Sequence, residues 1–348
     1  MSPEDVILVL GGGFGGARLA QELARKGFSN VTLIDRKNYF EVTYSTLRTL
    51  VDPEMGESAK IKYEQFLRTD FLQNEVMELQ QDHVKYADGT TKRFDVAIVA
   101  TGSSYRSLPI AKSAAAFDLN ARRDEMAEQH RRLLAAESIL IVGGGAVGVE
   151  LAGEIADKFP HKKVTIAEGG NRLLRNLKPK ASAIAEKLLT RLGVYVVLNT
   201  RLESHSPILQ EADMVYMCVG LTPNTDLMSP GFTSNLDESG RIKVDERLQL
   251  VGETSIYALG DCANISEPKF GYVADSQAVY LAKSFVALSR GKTPRRYKSP
   301  AVMSIVPIGR SKGVAQLPFG VSELGFLVNM KQKDMFISRQ FKNLGLNP

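Results

Sequence analysis

Two glycine-rich turns, each closing a short apolar run, constrain this chain more than any other feature. Val6-Ile7-Leu8-Val9-Leu10 leads into Gly11-Gly12-Gly13-Phe14-Gly15-Gly16, and Ile139-Leu140-Ile141-Val142 leads into Gly143-Gly144-Gly145-Ala146-Val147-Gly148. Each apolar run suits a strand buried on both faces, and residues 17–24 and 149–158 read as the helices that follow. In such a strand-turn-helix unit the first glycine permits the tight turn and the second lets a pyrophosphate approach the backbone. The last lets the helix lie close on the strand. The free N–H groups at the helix start then face the anion. An acid about twenty residues further on can hold a ribose hydroxyl. Both copies have one: Asp35 after Val31-Thr32-Leu33-Ile34, and Glu168 after Val164-Thr165-Ile166-Ala167. One such loop arises by chance; two, each with strand, helix and terminal acid, predict an α/β chain with two dinucleotide-binding domains.

The 348 residues leave room for about two domains and an extra segment. A content of 44% hydrophobic and 24% charged residues is that of an ordinary globular chain. The net charge of +5 is mildly basic, and its simplest reading is a solvated surface rather than a nucleic-acid footprint. Cys218 and Cys262 lie far apart with no CxxC between them, which fits a reducing, cytoplasmic setting and supplies no local redox disulphide. His83, His130, His161 and His205 have no ligand spacing, so no metal site is expected. No signal peptide or membrane-spanning run is expected, and residue 2 is serine, not the glycine that N-myristoylation needs.

Along the chain, residues 36–53 are irregular and carry Tyr39, Phe40, Tyr44 and Arg48. They read equally as packing under the first sheet or as a segment passing the reactive ring of a cofactor. Residues 75–84 and 85–94 read as strands, with Asp88-Gly89 as a turn, and the strand 95–100 ends at Thr101-Gly102-Ser103. Residues 113–136 read as a connector and a helix whose mixed charges suit solvent rather than nucleic acid. Residues 183–192 read as a helix and 194–198 as a strand. Strand 214–219 delivers Gly220, strand 255–259 delivers Gly260-Asp261-Cys262-Ala263, and 273–288 is a long helix. From Tyr297 the texture changes. Phe326, Leu327, Phe336, Ile337 and Phe341 alternate with Lys331, Lys333, Arg339 and Lys342. That suits either a surface resting on an anionic bilayer or a segment packed onto the rest of the molecule.

Four motifs in this order resemble the two-dinucleotide-binding-domain flavoproteins, the superfamily of glutathione reductase. They are Gly11 to Gly16 with Asp35; Ala100-Thr101-Gly102; Gly143 to Gly148 with Glu168; and Ala258-Leu259-Gly260-Asp261. Within it the chain is similar to the apoptosis-inducing-factor homologues and ferroptosis suppressors, near type II NADH dehydrogenases, and most of all to plant members. The similarity lies in Ile34-Asp35, Phe40, Leu47-Arg48, Val147-Gly148-Val149-Glu150-Leu151-Ala152 and Pro268-Lys269. It continues in Gly309-Arg310-Ser311-Lys312-Gly313-Val314-Ala315-Gln316 and Lys331-Gln332-Lys333-Asp334-Met335-Phe336.

The resemblance implies two Rossmann-like domains plus a small C-terminal α+β region. Residues 1–108 and 245–296 would form the FAD domain, 109–244 the NAD(P)H domain, and 297–348 a region facing quinone or membrane. It implies FAD contacts from Gly11, Gly13, Phe14, Gly15, Gly16, Asp35, Arg36, Arg48, Val76, Ala100, Thr101, Gly102, Asp261, Lys269 and Phe270. The NAD(P)H contacts would be Gly143, Gly145, Ala146, Val147, Gly148, Glu168 and Gly220. Glu150 would orient the nicotinamide carboxamide or simply complement its helix dipole, and Lys331 would lie near the flavin. Glu168 should repel a 2′-phosphate and favour NADH, with Asn171 and Arg172 close enough in sequence to soften that preference. No cysteine pair stands on residues 36–53, so dithiol chemistry is not expected. The implied activity is an FAD-dependent NAD(P)H:quinone oxidoreductase in which hydride reaches the flavin and electrons then reach a quinone. Two alternatives stand beside it. One is a reductase of a soluble acceptor, monodehydroascorbate or an iron-sulfur carrier. The other is a basic flavoprotein that mainly binds nucleic acid or a partner in cell-death signalling. The N-terminal glycine that carries a lipid in some animal members is absent, so a peripheral membrane contact would need another route.

Overall fold

The computed structural model describes residues 1–105, 107–202, 206–323 and 325–346. Strand β1 (Ile7–Leu10) is buried along its whole length and pairs with parallel neighbours on both edges, the inner position of a sheet covered on both faces. It feeds α1 (Phe14–Arg25), and the chain returns as β2 (Val31–Asp35). Next come the buried helix α2 (Thr46–Val51), β3 (Asp70–Gln73) and β4 (Val96–Val99). Residues 75–94 form three short antiparallel strands where two are expected. The chain turns at residues 80–82 as well as at Asp88-Gly89, and Gln80 N donates to His83 O at 2.9 Å across the first of these turns.

Strand β5 (Ser103–Tyr105) leaves the first unit, and α3 (Leu119–Ala135) leads to β6 (Ser138–Val142), the start of the second. Helix α4 (Ala146–Lys158), β7 (Lys163–Ala167), β8 (Tyr195–Val197) and β9 (Met214–Met217) complete a parallel sheet of order β8-β7-β6-β9. Among the described residues nothing like the three-stranded insertion of the first half separates β8 from β9. Leu202, Ile208, Leu209 and Ala212 instead cover Leu140, Val142 and Ala167 on that face of the sheet. Strand β10 (Leu221–Pro223) pairs antiparallel with β5 and joins the units. Asn224 locks the joint, donating to Thr101 O at 2.9 Å and accepting from Ser104 Oγ at 2.8 Å.

Strand β11 (Ile256–Ala258) returns to the first sheet beside β4, giving the order β11-β4-β1-β2-β3, so that sheet draws on both ends of the chain. Helix α5 (Gly271–Ser289) then packs along α1. The remainder is the antiparallel set β12 (Ser304–Ile308), β13 (Lys312–Leu317) and β14 (Gly320–Ser322), followed by α6 (Gly325–Gln332) and α7 (Ile337–Leu344). Gly153 lets α4 approach β12: a Cβ there would lie 2.8 Å from Gly309 N and Ile308 Cα. Among the described residues no helix is long and apolar enough to cross a membrane.

Part of the tail packs inward. Val328, Met335, Ile337 and Leu344 are buried, while Lys333, Arg339 and Lys342 face solvent. The side chains of Phe326 and Leu327 lie outside the described part. Gln21 Nε2 donates to Leu344 O at 2.6 Å, and Arg18 holds Asn343 O. Asp275 of α5 accepts from Gln340 and Asn343, each at 3.3 Å, and burial pushes its carboxyl up to about 6.

A folded pKa above the unfolded one means that the native state binds the extra proton, so stability falls as pH rises from about 4 through 6. Asp275→Asn should remove that slope. Between pH 4 and 7 the wild type should lose about 2–3 kcal/mol relative to the variant, read from urea unfolding at the two pH values.

Candidate active site

Three of the four motifs meet at the carboxyl ends of adjacent strands in one sheet. The first glycine loop follows β1, Ala100-Thr101-Gly102 follows β4, and Gly260-Asp261 follows β11. Crevices at strand carboxyl ends are where open α/β sheets bind ligands. Gly11 sits at φ +102°, and a Cβ there would meet Ala100 O at 2.6 Å; on Gly16 it would strike Gly11 O. Gly13 faces open space, as a pyrophosphate approach requires. Phe14 opens α1 and packs on Tyr44, with centroids 4.6 Å apart, and a Cβ on Gly271 at the start of α5 would meet both rings. Two helix N-termini therefore converge near one loop, a setting suited to a diphosphate.

Asp35 accepts from Gly12 N at 2.5 Å and Lys37 N at 2.7 Å, and burial pushes its carboxyl up. Arg36 lies over the Phe117 ring at 4.8 Å and pairs with Glu75 at 3.4 Å, next to Val76. Asp261 accepts from Ser103 Oγ at 2.5 Å and from Lys112 Nζ at 3.0 Å, two partners the sequence reading missed because both lie more than a hundred residues away. Lys269 is spent on the carbonyls of Ala263 and Ile265, at 2.8 and 3.0 Å, so it braces the turn after Asp261. Phe270 caps α5 and stacks on Tyr272.

The second loop repeats the first. Gly143 has φ +113°, Gly145 is open, and a Cβ on Gly148 would strike Gly143 O at 2.0 Å. Ala146 and Val147 open α4, and Gly220, at φ +82°, faces open space after β9. Glu168 accepts from Gly144 N and Gly170 N, both at 2.7 Å. Arg172, expected to soften the preference for NADH, does not face that carboxylate. It donates to Leu177 O at 3.0 Å, Ser182 Oγ at 2.7 Å and Arg175 O at 2.8 Å, because it closes the turn before the next helix. Asn171 is exposed.

Helix α4 carries Glu150 and Glu154 one turn apart on a buried face. Lys331 reaches Glu150 at 3.0 Å and also donates to Ile305 O at 3.3 Å. Arg48 donates through Nε and Nη2 to both oxygens of Glu154, the latter at 2.7 Å. Arg48, expected among the flavin contacts, thus joins the first unit to the second. Burial pushes the Glu150 carboxyl up against the pull of Lys331, and raises Glu154 to about 7 against the pull of Arg48. The sequence reading missed Glu154, although its place four residues past Glu150 on one helix face is a signal that could have found it; its partner Arg48, 106 residues away, left none.

Both cysteines are free and buried, and burial pushes the Cys218 thiol up to about 12, away from thiolate chemistry. Among the described residues no three His, Cys, Asp or Glu side chains gather as metal ligands, and His205 lies outside them.

Residues 5–278 match the family described as pyridine nucleotide-disulphide oxidoreductase. Apoptosis-inducing factor homolog B of Dictyostelium discoideum is 30% identical, over all of this chain and 98% of that protein. Ferroptosis suppressor protein 1 of Xenopus tropicalis is also 30% identical, over 97% of this chain and 96% of that one. Among solved structures, the sulfide:quinone oxidoreductase of Aquifex aeolicus superposes with a TM-score of 0.79 at 14% identity, over 97% of this chain and 91% of that one. The two relatives agree with the branch that the sequence motifs resemble.

Removing one partner of a buried ion pair strands the other charge. Arg48→Met should therefore lower stability at pH 7.5 by about 3–5 kcal/mol, measured by urea unfolding. Arg48→Met with Glu154→Leu should recover most of the loss.

Proposed function

The chain belongs to the pyridine nucleotide-disulphide oxidoreductase family, oxidoreductases that pair a flavin with a pyridine nucleotide, and on that footing we propose that it is an FAD-dependent NAD(P)H:quinone oxidoreductase. The observation that carries the reading is the Glu150–Lys331 pair, which closes the start of α4 with a cation from the C-terminal region. The two cysteines support it from the other side. They are buried and remain free, so no dithiol stands ready to relay electrons to a disulphide substrate.

In this reading the first loop holds FAD. Gly13 leaves room for its pyrophosphate, the starts of α1 and α5 meet its negative charge, and Asp35 and Asp261 bind its sugar hydroxyls. The second loop holds the nicotinamide nucleotide, with Glu168 on the adenosine ribose, a placement that favours NADH. When bound, the flavin accepts a hydride from the nicotinamide and releases two electrons, so NADH, quinone and one proton become NAD⁺ and hydroquinone. The chain's part is to hold the rings in register and shape the electrostatics at the junction. Glu150 orients the nicotinamide carboxamide and holds Lys331. The Lys331 ammonium steadies negative charge developing on a quinone oxygen.

The second reading keeps the same donor side but ends on a soluble acceptor, such as monodehydroascorbate or an iron-sulfur carrier. It is favoured by the inward packing of Val328, Met335, Ile337 and Leu344, which removes apolar residues from the surface a membrane quinone would approach.

Lys331→Met combined with Glu150→Gln, so that no lone charge is buried, should lower kcat with a short-chain quinone by about 10²-fold while FAD stays bound. Steady-state NADH oxidation across quinones, monodehydroascorbate and protein carriers makes the comparison. Quinone turnover unchanged in the double variant, or a protein that stays colourless when offered FAD, would contradict the reading.

A further inference from the structure

We propose that Ser299 is a phosphorylation site, the acceptor for a serine/threonine kinase that reads arginine on its N-terminal side, and that the phosphate lowers quinone turnover. The effect on turnover rests on the quinone reading above; the place of the site does not.

A strap of residues 292–303, neither helix nor strand, carries the chain from α5 to β12. It holds a repeat: Arg290-Gly291-Lys292-Thr293-Pro294 is followed by Arg296-Tyr297-Lys298-Ser299-Pro300. Residues 290–300 include five basic side chains and no acid. Each copy sets an arginine three residues before a hydroxyl and a proline just after it. The arginine offers its fork to carboxylates of a kinase. The proline biases the acceptor toward the extended backbone that a peptide takes in a kinase cleft.

The structure separates the two copies. In the first, Lys292 N donates to Ala287 O at 2.9 Å, while Pro294 is buried and its O accepts from Arg247 Nε at 3.2 Å. The backbone on both sides of Thr293 is therefore pinned. In the second, Lys298 and Ser299 are exposed. Among the described residues nothing bonds the backbone of residues 298–300, and Ser299 Oγ has no partner. The free segment is fastened at both feet. Upstream, Tyr297 N donates to Glu246 O at 2.8 Å, its hydroxyl donates to Glu267 at 3.1 Å, and Tyr280 OH donates to Arg295 O at 2.6 Å. Downstream, the Tyr272 hydroxyl donates to Ala301 O at 3.2 Å and accepts from Met303 N at 3.0 Å. A serine hydroxyl thus stands at the crest of a short free bow, in the sequence frame such a kinase reads.

In the transfer, Ser299 Oγ forms a bond to the γ-phosphorus of ATP as the bond to the bridging oxygen breaks. ADP leaves, and the hydroxyl proton passes to the kinase's catalytic aspartate. The product carries about −1.5 to −2 charge and three acceptor oxygens. Arg296, three residues back, is held by a surface pair, Nε to Glu246 at 3.0 Å, with its side chain 73% exposed. Exposed pairs of this kind are weak, so the phosphate draws Arg296 from Glu246, the residue whose backbone oxygen also holds Tyr297. The strap moves with that anchor. Six residues beyond Ser299 it has become β12, where Ile305 O accepts from Lys331 at 3.3 Å.

The test incubates the FAD-loaded full chain with ATP and an arginine-directed serine/threonine kinase and maps the product by mass spectrometry. One phosphate should appear on Ser299, and none on the Ser299→Ala protein. Arg296→Gln should lower the kinase's kcat/KM for the chain about tenfold, and Arg296→Lys should restore part of it. The phosphoprotein should keep FAD and reduce it with NADH at a rate within about twofold of the unmodified protein. Its kcat with a short-chain quinone should fall about three- to tenfold, and phosphatase treatment should restore it. A phosphate placed elsewhere, no phosphate on Ser299, or a phosphoprotein with unchanged quinone turnover would overturn the inference. If the unmodified protein turns over no quinone, the quinone reading fails, and the mapped position alone then upholds or overturns the site.

Discussion

One turn of helix α4 holds the molecule's parts in register. Glu150 and Glu154 project from a buried face, and each is closed by a cation from a different stretch of chain, Lys331 of α6 and Arg48 of α2. A buried carboxylate without a partner is costly, whereas a paired one adds little net stability. Such pairs therefore act chiefly on arrangement: Arg48 aligns the first unit against α4, and Lys331 aligns the C-terminal region against it. Gly309 O ties the two together, accepting from Gln332 Nε2 at 2.7 Å and from Arg48 Nη2 at 3.5 Å. Because α4 begins at the second glycine loop, whatever sets its position also sets where a nucleotide there points.

The glycine loops were legible because the backbone leaves them no freedom. Gly11 and Gly143 stand at strongly positive φ, and Gly16 and Gly148 lie so close to their strands that a single methyl would collide. Asp35 and Glu168 were legible for the same reason, since each ties its own loop through one backbone N–H. Local geometry of this kind leaves a mark in residue type and spacing.

What stayed hidden is long in sequence. Arg48 and Glu154 are 106 residues apart, and Lys112 and Asp261 are 149 apart, so neither pair leaves a local pattern. Arg172 is nearer to Glu168 along the chain than Arg175, yet Arg172 closes its own turn and Arg175 is the one that lies beside the carboxylate. The tail read ambiguously because two short helices break at Met335 and Phe336, both at positive φ, which interrupts any single helical period.

The central claim is that electrons pass from the nucleotide at the second loop to one flavin at the first and leave without a dithiol. Anaerobic titration of the FAD-loaded protein with NADH tests it most directly. The account predicts that the flavin's visible band bleaches fully with one equivalent of NADH per FAD and returns when a short-chain quinone is added. A flavin that does not bleach, or one that needs a second equivalent because another two-electron centre fills first, would contradict it.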